Sequence, residues 1–97
     1  MHYLAICAII KDEDLYLREW AAYHSLLGVE HFYLYDNESA RSQARALEGF
    51  DAERFTFVSW PGLAQQMPAY NHCLKTFGKD CRWLAYIDMD EFICPME

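Results

Sequence analysis

The residues with the clearest chemical use are Asp88 and Asp90, which flank Met89 directly after the apolar run Trp83 to Ile87. Carboxylates two positions apart at a strand end point the same way, so both can reach one hard cation. Mg²⁺ and Mn²⁺ prefer such oxygen ligands and bind diphosphates. An ion held there would act as a Lewis acid toward the charge that builds on a departing nucleoside diphosphate. Other apolar runs end in comparable clusters: Lys11-Asp12-Glu13 after Tyr3 to Ile10, Asp36-Asn37 after Phe32 to Tyr35, and the Trp60-Pro61-Gly62 turn closing Phe55 to Trp60. Taken singly, each is what any strand shows where it leaves the core for a wet loop. Four in one short chain, three of them acidic, point to a shared site if the strands run parallel.

The histidines carry less. His24 and His72 fall in helical segments, His31 begins a strand, and no ligand-like spacing links them, so they read as core or surface residues. Trp20, Trp60 and Trp83 read as packing residues. Trp60 has the better claim to a contact, because it stands at the rim.

The elements that must position these clusters follow from hydrophobic pattern. Tyr3 to Ile10 is apolar without alternation, as a strand covered on both faces requires. Asp12 or Asp14 can cap a helix over about 15–27, with Tyr16, Trp20, Tyr23 and Leu27 as its apolar face and Gly28 as its stop. Phe32 to Tyr35 is a short aromatic strand, followed by a turn and a helix-favouring segment over about 40–47 that Gly49 closes. Phe55 to Trp60 is a third strand. A second long helix covers about 64–77, with Met67, Tyr70, Asn71, Leu74 and Phe77 along it and Gly78 at its end. Pro68 belongs in its first turn, which places the start nearer Met67. Trp83 to Ile87 is the fourth strand. Strands alternating with helices predict an α/β fold, a Rossmann-like, doubly wound, mostly parallel four-stranded sheet. In such a sheet ligands bind beyond the carboxyl ends of the strands. No repeat, low-complexity tract or linker interrupts the pattern.

Ninety-seven residues make one small domain, yet 54% are hydrophobic and 16% aromatic, which is rich for that length. Some apolar surface should therefore need a partner outside the chain, through truncation of a longer domain or self-association at an exposed sheet edge. Eight Lys+Arg against 15 Asp+Glu leave a formal charge of −7. That field opposes nucleic acid and anionic lipid, though a divalent cation can invert it locally for one anionic ligand. Cys7, Cys73, Cys81 and Cys94 form no C-x-x-C pair and read as reduced structural thiols, which suits a cytoplasmic protein. Met1-His2 leads into the first apolar run without a basic signal-peptide region, and Leu4 to Ile10 is too short to span a bilayer.

Together these residues resemble glycosyltransferase family 92. The resemblance runs through Lys11-Asp12-Glu13, Tyr16-Leu17-Arg18-Glu19-Trp20, Tyr23-His24, Leu27-Gly28-Val29 and His31 to Asn37. It continues, in the same order, through Trp60-Pro61-Gly62, Gln65 or Gln66, Ala69-Tyr70-Asn71 and Ile87 to Phe92, so it covers nearly the whole chain. It implies the N-terminal, nucleotide-binding half of a GT-A fold and transfer of a hexose, with UDP as the expected carrier, to a glycan hydroxyl. By that similarity Lys11, Glu13, Asp36 and Asn37 would hold the base and ribose of a nucleotide-diphosphate sugar. Asp88 would meet the ribose, Asp88 and Asp90 would carry Mn²⁺ or Mg²⁺, and Asn71 would approach the donor. The family usually has Asn where Asp12 stands, which adds negative charge beside a diphosphate donor. The resemblance also places the acceptor site and catalytic base beyond residue 97.

Two other readings compete. A haloacid-dehalogenase-like phosphotransferase also sets a D-x-D after an apolar strand, with its first Asp as nucleophile. That motif normally has Thr or Val two residues after the second Asp, where this chain has Phe92. The alternative is a truncated, non-catalytic domain that binds a nucleotide or a partner.

Overall fold

The computed structural model describes residues 2–11, 14–37, 47–61 and 66–87. The strands are β1 (His2–Ile10), β2 (His31–Asp36), β3 (Phe55–Ser59) and β4 (Cys81–Tyr86), and the helices are α1 (Asp14–Leu26) and α2 (Gln66–Phe77). All pairings are parallel, in the spatial order β3-β2-β1-β4. This is the α/β, Rossmann-like architecture that the alternating pattern predicts. The segment at about 40–47 expected to be helical lies outside the described residues, except for Leu47, which is buried in the core.

β1 is central, and both of its faces are covered. Ile6, Ala8 and Ile10 pack with Leu17, Trp20 and Ala21 of α1, while Ala5 and Cys7 pack with Ala69 and Cys73 of α2. A strand enclosed by a helix on each side needs apolar residues at every position, which is why its sequence shows no alternation. The chain proceeds from β1 outward through β2 to β3, then returns through α2 to place β4 on the other side of β1. Strand order therefore reverses between β1 and β4, a switch point that opens a crevice at the carboxyl edge.

The buried face of α1 differs from the expected one. Tyr16 is 63% exposed, whereas Leu17, Trp20, Ala21 and His24 are fully buried. Spacings of three and four residues describe both stripes. Leu17 and Ala21 join Trp20 on the stripe that is buried against the sheet, and Tyr16 keeps its polar end toward water. His24 tolerates burial because its Nδ1 lies 2.9 Å from the Trp20 carbonyl oxygen. The helix ends as its glycine predicts. Gly28, at φ 102°, donates to Ser25 O and Val29 donates to His24 O, which together make a Schellman stop.

α2 begins at Gln66, close to the start that Pro68 implies, and buries Ala69 and Cys73. Gly78 does not end the helical path outright, because Gly78–Asp80 adds a 3₁₀ turn before β4. Cys7, Cys73 and Cys81 are free, buried thiols; Cys94 lies outside the described residues. Among the described residues no helix is long and apolar enough to cross a membrane.

Candidate functional site

The parallel sheet delivers its strand exits to one edge. Ile10, Asp36 and Ser59 lie side by side in register at the ends of β1, β2 and β3. Each exit is tied to its neighbour: Asn37 donates its backbone N–H to Ile10 O at 2.8 Å, and Trp60 donates to Asp36 O at 2.9 Å. A side chain adds a further tie, as Asn37 Nδ2 donates to Trp60 O at 2.7 Å. Lys11 is exposed at the end of β1, and Asp36 and Asn37 are half-buried. On the other side of β1, Tyr86 pairs with Cys7, and Ile87 donates to Cys7 O at 3.3 Å. β4 thus ends about 10 Å short of the end of β1 at Ile10, at about 3.3 Å per strand residue, beside the switch point.

Beneath this rim, on the α2 face, Tyr35 and Trp60 meet His72 of α2. The Tyr35 hydroxyl lies 2.7 Å from His72 Nδ1. Trp60 packs its ring 4.9 Å from His72 and 5.3 Å from Tyr35. Burial pushes the Tyr35 phenol well above its ordinary range, so it stays protonated. Deeper still, hydrogen bonding to Cys73 and then burial push the Cys7 thiol up, which makes it a poor nucleophile.

The opposite edge has a different character. His2 stacks on His31 at 4.5 Å, and His31 Nε2 lies 2.7 Å from Thr56 Oγ1. Burial, then the neighbouring His2 and Arg54, bring the His31 imidazole down to about 4, so it is neutral near pH 7.

The model of glycosyltransferase family 92 matches residues 2–97. The chain belongs to glycosyltransferase family 92. It is 33% identical to a family 92 protein of Oryza sativa subsp. japonica over 94 residues, which are 95% of this chain and 16% of that protein. A family 92 protein of Arabidopsis thaliana is 33% identical over 93 residues, 94% of this chain and 16% of its own length. One from Ricinus communis is 32% identical over 93 residues, 94% and 17% respectively. The family 92 chain thus spans about one sixth of the length of the curated relatives it matches. No solved structure matches it. Family membership counts against the phosphotransferase reading.

Of the residues singled out in the sequence, Lys11, Asp36 and Asn37 stand at the carboxyl edge of this family 92 sheet. Glu13, Asp88 and Asp90 lie outside the described residues, and Ile87 is the last described residue before Asp88. Asn71 is exposed on the side of α2 away from Ala69 and Cys73. Its neighbour His72 contacts Tyr35 and Trp60. Sequence reasoning set His72 aside as a core or surface residue, and no spacing rule could have paired it with Tyr35, 37 positions away.

Proposed function

We propose that this chain is the donor-binding N-terminal half of the GT-A fold of a metal-dependent glycosyltransferase, which moves a hexose from a nucleotide-diphosphate sugar to a glycan hydroxyl. One observation carries the reading: the parallel sheet opens Lys11, Asp36, Asn37 and the exit toward Asp88 onto a single edge, around a switch point. Family membership supports a sugar donor and a glycan acceptor in general terms. Because the relatives are about six times longer, the acceptor site and the catalytic base are assigned to the remainder of such a protein.

Among the described residues no three His, Cys, Asp or Glu side chains come together as metal ligands. The oxygen donors suited to Mg²⁺ or Mn²⁺ are Asp88 and Asp90, whose paired carboxylates match a hard cation that takes further ligands from a diphosphate. Such an ion supplies Lewis-acid screening of the charge on the leaving diphosphate. The chain's own groups do the positioning. Lys11 brings a cation toward phosphate oxygens, Asp36 accepts from ribose hydroxyls, and Asn37, fastened to Trp60, keeps the β2 and β3 exits together beneath the donor.

Calorimetry with UDP and Mn²⁺ tests the reading, with Asp90→Ala as control. Binding by the wild type that falls at least tenfold in the variant is expected, since one metal ligand would be lost. No binding by the wild type, or equal binding by the variant, overturns it.

A further inference from the structure

We infer that His72 is a ligand-binding residue of the carboxyl-edge site, presenting its Nε2 to a phosphate or hydroxyl oxygen of the bound sugar nucleotide; the inference rests on the donor-binding reading above. The argument begins with a buried phenol. Tyr35 is fully buried, so its hydroxyl needs a partner, and that partner is His72 Nδ1 at 2.7 Å. The ring nitrogens of an imidazole point in diverging directions. With Nδ1 turned inward to Tyr35, Nε2 turns away from the core. The ring is only half-buried, so that outward side is the one a ligand can reach.

The direction of the hydrogen bond sets what Nε2 offers. An imidazole nitrogen is a strong acceptor and a phenol a ready donor, so we take Tyr35 to donate its proton to His72 Nδ1. A neutral imidazole accepting at Nδ1 carries its proton on Nε2. His72 therefore offers an N–H donor, the group that phosphate and sugar oxygens accept from.

The ring is also held in orientation. Trp60 lies 4.9 Å from it at an interplanar angle of 49°. Trp60 is itself fixed by its N–H on Asp36 O and by Asn37 Nδ2 on its carbonyl. An imidazole immobilised before the ligand arrives loses little entropy on binding, which is what a binding group requires and a mere packing residue does not.

The test uses Mg²⁺ in place of Mn²⁺ so that ¹⁵N signals of the His72 ring remain visible. In the free protein Nδ1 should appear unprotonated and Nε2 protonated, and UDP with Mg²⁺ should shift Nε2. In calorimetry His72→Phe, which keeps the ring, should bind UDP–Mg²⁺ about tenfold more weakly, the value of one donor–oxygen bond. His72→Gln should recover most of the affinity by restoring an N–H, and Tyr35→Phe should lose part of it with His72 in place. Urea midpoints of each variant separate lost binding from lost folding. Wild-type affinity in folded His72→Phe overturns the inference and leaves the donor reading standing. If UDP does not bind but Mg²⁺-pyrophosphate shifts Nε2, the donor reading fails while His72 remains an oxygen-ligand contact. If neither probe moves Nε2, the inference fails.

Discussion

Asn37 illustrates how much of the rim depends on single polar groups. Its backbone joins β2 to β1 and its side chain joins β2 to the residue after β3. Asn37→Ala should cost about 1 kcal/mol in urea unfolding, the net worth of one hydrogen bond. It should also weaken nucleotide binding by loosening Trp60, and an unchanged affinity would show that Trp60 is held by other means. His31 makes a different prediction, about pH. Its imidazole sits at about 4 when folded and returns to about 6.5 when unfolded. Between those values the unfolded chain binds a proton that the folded chain refuses. The His31 contribution to stability is therefore complete above about pH 6.5 and declines as pH falls toward 4, by up to about 3 kcal/mol. Burial lowers His24 in the same direction. Urea midpoints from pH 7.5 to 4.5 should fall more steeply for wild type than for His31→Gln, and parallel curves would contradict the assignment. Lys11, Asp36 and Asn37 were legible as rim residues because a strand end can be read from local pattern. The Tyr35–His72 pair was not, since it depends on how α2 sits across the sheet.

The strands were readable at the level of elements because β1 and β2 are enclosed on both faces and advertise this with unbroken apolar runs. The face of α1 was misread for a physical reason. Aromatic residues outweigh smaller ones in a hydrophobic pattern, yet Leu17 and Ala21 are the residues buried with Trp20 against β1. Trp20→Ala should therefore cost about 3–5 kcal/mol, as deleting a large buried side chain does, while Tyr16→Ala should stay within about 0.5 kcal/mol, as for an exposed site. Chemical denaturation of the two variants decides between the faces, and a larger loss at Tyr16 would restore the rejected one. The stop of α1 makes a sharper test. Gly28 sits at φ 102° with open space around its Cα, so Gly28→Ala should destabilise through backbone strain alone, by about 1 kcal/mol. Gly28→Asn should recover part of that loss, because Asn tolerates positive φ better.

For the whole molecule, topology matters more than any one residue. A chain that runs outward from β1 to β3 and returns to set β4 on the far side of β1 creates a switch point. Parallel pairing throughout then places every strand exit at that end. The formal charge of −7 suits this arrangement when a divalent cation accompanies the ligand, since an anion alone would meet a repulsive field. The two edges are chemically distinct, with Lys11, Asp36, Asn37 and Ile87 at one and the His2–His31 pair at the other. Mn²⁺ is paramagnetic, so sub-stoichiometric Mn²⁺ added with UDP to ¹⁵N-labelled protein reports directly on which edge is used. The amide signals of Lys11, Asn37 and Ile87 should broaden and vanish first, while those of Tyr3, Glu30 and Arg82 persist. Broadening centred on Tyr3, Glu30 and Arg82, or spread evenly over both edges, would contradict a carboxyl-edge donor site.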